Sequence, residues 1–267
     1  MGDDPVTIAT PEPSEASTPT PGQEAGPGPG DSSAPDSADA GGGETGPKRF
    51  CETQAPLTGV TDFFCADFDG TKADEGFTKT LGPDSGAAKL DTGGFFSPPA
   101  SLVTTNGATL LWEKSGALPF VETDVRVRVN VSALGGVVAP STGYVTILRL
   151  QSVDTSVELR FTAGGTVGQA GPYTGYYLNA VLCPSSCFVV EAKLTNQLPT
   201  NVWTDVGLVW QKTGAVNVTF NGLAVGSLSS ASTTSSSISA ALGTVTSGAP
   251  VGVGRHTFDN FIVSVRR

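Results

Sequence analysis

The residues best placed to meet a ligand are three tyrosines. Tyr173, Tyr176 and Tyr177 lie beside Gly171-Pro172 and Gly175, a loop composition suited to presenting rings on which the apolar face of a sugar stacks. Neighbours along a strand point to opposite sides, so one of Tyr176 and Tyr177 faces outward; the alternative is that this pair only lines a core. A second candidate is the run Glu122-Thr-Asp124-Val-Arg126-Val-Arg128. It alternates two carboxylates and then places arginine at the next such position, so no third carboxylate follows on this strand. These four charges read as a solvated face with cross-strand ion pairs. His256 sits between Arg255 and Thr257 with no Gly-x-Ser-x-Gly in the chain, and Gly252 and Gly254 precede a strand rather than a helix that would cradle phosphate. No catalytic residues are assigned, and the expectation is a non-catalytic protein.

Four cysteines fall in two close pairs, Cys51 with Cys65 and Cys183 with Cys187. Each pair closes a short loop, and disulfides are the preferred reading. The competing one is metal or free thiols, but Cys-x3-Cys with one histidine in the chain matches no zinc spacing well. Disulfides imply an oxidising compartment.

Composition divides the chain of 267 residues unequally. Residues 1–48 are rich in Pro, Ser, Thr, Gly and carboxylates. The first 47 carry nine acidic and no basic residues, and hardly an aliphatic beyond Val6 and Ile8. Such a segment has no apolar area to offset the entropy of ordering its backbone, and reads as a disordered, extended linker. Of the net charge of −10, these first 47 residues account for −9, which leaves the rest nearly neutral and without a basic face for nucleic acid. No apolar run is long enough to span a membrane. The start lacks the charged and apolar regions of a signal peptide, yet resembles the mature beginning of an exported protein, secreted or held at the cell surface, with a lipid at a trimmed N-terminus as one route. Val6 stands where a myristoylation pattern wants Ser or Thr.

The elements that must position these residues are strands. Val202, Val206, Leu208 and Trp210 fall on alternate positions, Lys212 to Ala215 interrupts, and Val216, Val218 and Phe220 alternate again before Asn221-Gly222, whose tolerance of positive φ suits a tight hairpin, and a third short run, Leu223 to Val225. Val121 to Val131 reads as a strand in which Val121, Val125, Val127, Val129 and Val131 alternate with charged and polar residues. Further strands are expected at Phe63 to Phe68, around Ala87 to Leu90, Ala100 to Thr104, Ala108 to Trp112, Tyr144 to Gln151, Val157 to Thr162, Tyr176 to Cys183 and Phe188 to Leu194. A last strand, Phe261 to Val265, follows an acidic turn after Phe258. Ser229 to Ser239 reads as a long Ser/Thr-rich loop. No stretch shows a three-and-four apolar repeat, so almost no helix is expected. The fold class is all-β, a two-sheet antiparallel sandwich of jelly-roll type over residues 49–267.

Three pieces of this sequence carry a family resemblance: Phe68-Asp69-Gly70; Ser97-Pro98-Pro99 with Ser101-Leu102; and Trp203 to Trp210 through Asn221-Gly222, closing on Phe258-Asp-Asn-Phe-Ile-Val263. Together they resemble the concanavalin A-like lectin and glucanase superfamily, in the laminin G-like variety found in exported bacterial proteins. The resemblance implies that first and last strands pair. It also implies that Asp67, Asp69, Asp259 and Asn260 share one neighbourhood, where relatives hold calcium; ordinary Asp and Asn turn chemistry is the alternative. The function expected is a surface-tethered binding or adhesion module for carbohydrate or a cell-envelope component. A polysaccharide-degrading hydrolase or lyase and a purely structural envelope domain are the other two readings.

Overall fold

A computed structural model describes residues 49–82, 88–104, 108–132, 144–162, 175–182, 188–230, 232–247 and 256–267. Tyr173, Cys183, Cys187 and the acidic linker lie outside them. A one-turn helix, α1 (Phe50–Thr53), leads into strands β1 (Asp62–Ala66), β2 (Lys79–Leu81), β3 (Ala88–Asp91), β4 (Ser101–Thr104), β5 (Thr109–Ser115), β6 (Glu122–Val131) and β7 (Tyr144–Gln151). After these come β8 (Thr155–Thr162), β9 (Gly175–Leu182), β10 (Phe188–Lys193), β11 (Thr204–Gln211), β12 (Ala215–Phe220), β13 (Leu223–Ser229), β14 (Ser237–Ser247) and β15 (His256–Arg266). The protein is a two-sheet antiparallel sandwich. One sheet runs β13-β12-β11-β6-β15-β4-β3, with β1 also paired to β15; the other runs β10-β9-β8-β7-β14-β5-β2.

Period-two patterning explains both layers. Along β11 and β12 the odd or even set that is apolar points inward, so Leu208, Trp210 and Val218 are fully buried and Phe220 nearly so. Asn221 at φ 50° and Gly222 at φ 78° make the two-residue turn between β12 and β13. Trp210 packs edge-on to Phe120 with centroids 5.2 Å apart. From the facing layer Leu148, Leu150, Leu159, Leu178 and Leu242 complete one continuous core.

Three expectations are corrected. The run expected as Phe63 to Phe68 ends at Ala66, because Phe68 takes φ 60° and reaches the core from a turn rather than by alternation. The Ser/Thr-rich stretch is not a loop as far as Ser239: β14 starts at Ser237 and is central to its sheet, with Ile238, Ala240 and Leu242 inward. Small residues hid a strand whose neighbours supply the bulk. Finally, Asp259-Asn260 is no turn before a separate strand. It is a bulge inside the continuous β15, where the register with β6 shifts and Asn260 takes φ 52°. The extra residue lets Phe258 and Phe261 both face the core.

Candidate functional site

Strand β8 shows how the sheets divide chemistry. Val157, Leu159 and Phe161 go to the core, so Ser156, Glu158 and Arg160 stand on the opposite face. Register carries that face across neighbouring strands. Arg149 of β7, Glu158, Asn179 of β9 and Glu191 of β10 form one row, and Thr146, Arg160, Tyr177 and Lys193 form the next. Although turned away from the core, five of these are nearly shut off from solvent: Thr146 is 2% exposed, Glu158 3%, Arg160 8%, Asn179 1% and Tyr177 3%.

Buried charge must be paired, and here it is. The Arg160 guanidinium donates to Glu158 Oε2 at 2.6 Å, Arg149 Nε lies 2.9 Å from Glu158 Oε1, and the Thr146 hydroxyl donates to Oε2 at 2.9 Å. Burial pushes the Glu158 carboxyl up, but the hydrogen bond from Arg160 and the charges of Arg149 and Arg160 outweigh it and hold it below the usual carboxylate range. Arg160 also lies over the Tyr144 ring at 3.9 Å. Beside this network the Asn179 amide has neither its oxygen nor its nitrogen in a hydrogen bond. A buried amide left unsatisfied costs stability, which makes it a place where a ligand's polar groups are wanted.

Tyr177 stands opposite Arg160 on this face, buried rather than presented as an open ring. Tyr176 points the other way, into the core, with Phe161 5.0 Å and Phe220 6.5 Å away between centroids.

The acidic candidates gather at the bulge. Asp259 Oδ2 accepts from the Phe96 and Ser97 amides at 3.0 and 2.8 Å, and Oδ1 from the Asn260 amide at 2.8 Å. The Ser97 hydroxyl donates to Asn260 Oδ1 at 2.9 Å. Asp67 accepts from the amides of Cys51 and Asp69 at 3.2 and 3.3 Å. Asp69 differs: it is 6% exposed and neither oxygen has a partner in hydrogen-bonding geometry. Burial, then the charges of Asp67 and Asp259, push it up to about 6, with the Ala100 amide and Arg49 opposing. Calcium needs six to eight oxygens. Asp67 and Asp259 spend theirs on backbone donors, and among the described residues no three His, Cys, Asp or Glu side chains gather around a metal position. The residues present do not fit that ion; the turn chemistry weighed against it accounts for Asp67, which accepts from the Asp69 amide, while Asp259 is held by the distant Phe96 and Ser97 amides.

Ion pairs occupy the Glu122–Arg128 strand: Arg266 with Glu122, Arg126 with Asp124 at 2.8 Å and Arg128 with Asp205 at 2.7 Å. Cys51 and Cys65 are disulfide-bonded, with Cα atoms 5.7 Å apart, tying α1 to β1. His256 is fully buried beside Phe258. Among the described residues no helix is long and apolar enough to cross a membrane.

Sequence reasoning missed Arg149, Glu158, Arg160 and Asn179 as a group. Ser156, Glu158 and Arg160 alternate with Val157, Leu159 and Phe161 as legibly as the charges of β6 do with its valines. The break came in β7, where a register shift between Thr146 and Leu148 puts Thr146 and Arg149 on one face and defeats a strict period of two.

No protein-family model and no curated protein sequence matches the chain. Solved structures do. An endo-β-1,4-glucuronan lyase from the fungus Trichoderma reesei superposes with a TM-score of 0.53 at 13% identity, over 75% of this chain and 94% of that one. An endo-β-1,3-glucanase from Pyrococcus furiosus follows at TM-score 0.45 and 9% identity, covering 76% and 93%. The receptor binding domain of botulinum neurotoxin D gives 0.43 and 10%, covering 71% of this chain and 44% of that one. The last two are too distant to argue from. The first corrects the non-catalytic expectation: this sandwich is also the scaffold of a polysaccharide-cleaving enzyme, so a missing carboxylate on the Glu122–Arg128 strand is no ground for excluding catalysis. What the comparison shows is a shared β-sandwich fold.

Proposed function

We propose that the protein cleaves a uronate-bearing polysaccharide by β-elimination on the outward face of the second sheet. The observation that carries this reading is the buried, unpartnered Asn179 amide beside the Arg149–Glu158–Arg160 network. In elimination a base removes the proton on the carbon next to the uronate carboxyl, that electron pair forms a carbon–carbon double bond, and the glycosidic oxygen leaves and is protonated. Negative charge builds on the carboxyl group on the way, and fixed donors stabilise it best. The Arg160 guanidinium, held by Glu158, and the Asn179 amide are such donors. Tyr177, opposite Arg160 and Lys193 in register, takes the proton and returns one to the departing oxygen. The fold shared with a glucuronan lyase supports the same class of substrate.

We read the sandwich as concanavalin A-like, and the protein as exported, with the acidic linker as a spacer. The Cys51–Cys65 disulfide supports an oxidising compartment.

Polyglucuronate, alginate and a neutral β-glucan are incubated with the protein and followed by ultraviolet absorbance of the unsaturated uronate and by a reducing-end assay. Absorbance should rise with a uronate polymer alone, and Asn179→Leu should abolish it while the variant still unfolds cooperatively. New reducing ends without absorbance would mean hydrolysis and refute the reading, as would no product from either uronate.

A further inference from the structure

The opposite sheet carries a concavity. A groove of about 510 Å3 crosses the outward face of β6, β11 and β15, walled on one side by Phe50 and Gln54 around α1. That volume lies within the range of small-ligand sites. We propose that this groove binds a neutral oligosaccharide, as a glycan site separate from the polar face of the other sheet and independent of the reaction assigned there.

Gly207 sits in the floor inside β11, between Arg126 of β6 and Thr219 of β12 in register. A Cβ there would come within 2.5 Å of the Thr219 hydroxyl oxygen, so the bare position makes room for the Thr219 side chain, which lines the groove beside it.

The charges lining the groove select against charge in the ligand. Asp124, Arg126, Arg128 and Asp205 sum to zero and are already matched, Arg126 to Asp124 at 2.8 Å and Arg128 to Asp205 at 2.7 Å. A carboxylate on the ligand would have to compete with Asp124 or Asp205 for its guanidinium. Sugar hydroxyls need no such exchange: each accepts from a guanidinium N–H and donates to a carboxylate lone pair while both ion pairs stay closed.

At the Arg128 end the surface turns aromatic. The Arg128 guanidinium lies 3.6 Å from the centroid of the Phe96 ring, which is 45% exposed and meets Trp203 edge-on at 6.2 Å. Phe95 and Val202, next to them in the chain, are 38% and 51% exposed. Exposed rings grouped this way on a surface mark a binding site, and they suit the apolar face of a pyranose.

Binding of the full-length protein to cellohexaose, to a β-1,3-glucan hexaose and to an oligoglucuronate is measured by calorimetry, alongside Arg126→Ala, Trp203→Ala and Asn179→Leu. Arg126 is an exposed side chain, so its removal leaves the fold intact. At least one neutral hexaose should bind saturably, about tenfold more weakly to Arg126→Ala and to Trp203→Ala, and unchanged to Asn179→Leu. No binding of either neutral hexaose would overturn the proposal. So would neutral-hexaose binding that Asn179→Leu removes, or that both groove variants retain in full. Failure of the elimination assay with these binding results intact would remove the proposed reaction and leave the groove standing.

Discussion

Exchanging Glu158 for glutamine keeps the side chain's volume and removes its charge. Glu158 is 3% exposed, and its oxygens are taken by Arg160 at 2.6 Å, Arg149 at 2.9 Å and the Thr146 hydroxyl at 2.9 Å. Glutamine leaves two guanidiniums facing one amide, half of which is itself a donor. Breaking a buried pair from one side costs roughly 3–5 kcal/mol, because the partner charge stays desolvated. The Arg149 side chain is 30% exposed and regains some water, so about 3 kcal/mol is expected, the low end of that range. For a folded part of this size each kcal/mol moves Tm by roughly 2–4 °C, giving a fall of about 6–12 °C. Urea unfolding and calorimetry at neutral pH measure both. The pH dependence has a definite sign. The folded carboxyl titrates below its ordinary value, so its contribution is present above the unfolded pKa of about 4.3 and is lost as pH falls through the folded value. The gap between wild type and Glu158→Gln should therefore close on acidification. A loss under about 1 kcal/mol at neutral pH, or a gap that widens in acid, would refute the view that this carboxylate is an ionised anchor for both arginines.

Three further outcomes are expected. Asn179→Leu should be neutral or stabilising by about 1 kcal/mol in urea unfolding, since the native amide is buried without partners. Asp69 titrates at about 6 against an ordinary 3.8, so the proton-linked stability it supplies is full below about pH 4 and lost as pH rises through 6. Asp69→Asn should then be more stable than wild type by up to roughly 3 kcal/mol near pH 8 and about equal near pH 4. Calcium should leave both proteins' Tm unchanged; a rise for wild type alone would restore the ion. Cys51→Ser with Cys65→Ser opens a crosslink spanning 14 residues and should cost about 3 kcal/mol in equilibrium unfolding.

The sequence displayed its layers through residues that alternate without interruption. Val125 to Val131, Val206 to Trp210 and Val216 to Phe220 are buried as their period of two requires, because in these strands each side chain's face follows from its own position. What stayed hidden depended on partners far away in the chain. Ile238 looks like a loop residue until β5 and β7 flank its strand. Asp259-Asn260 reads as a turn from its chemistry, and only pairing with β6 on both sides makes it a bulge. The same limit applies to the candidate site. Tyr177 was visible as a ring able to face outward, but its closeness to Arg160, and that of Asn179 to Glu158, exist only through the register of β8 with β9.

The bulged strand β15 also governs when the protein can form. It pairs with β6 along most of its length, while on its other edge β4 takes the part before the bulge and β1 the part after it. Three strands laid down earlier therefore wait for the last described strand, and Thr61 hydrogen-bonds Val265 across 204 positions. During synthesis β6, β11, β12 and β13 can already pair, but β4 and β1 have no connection to them until residues 256–266 emerge. Pairings this distant in sequence fold slowly, so joining the two parts of this layer is a late step of folding.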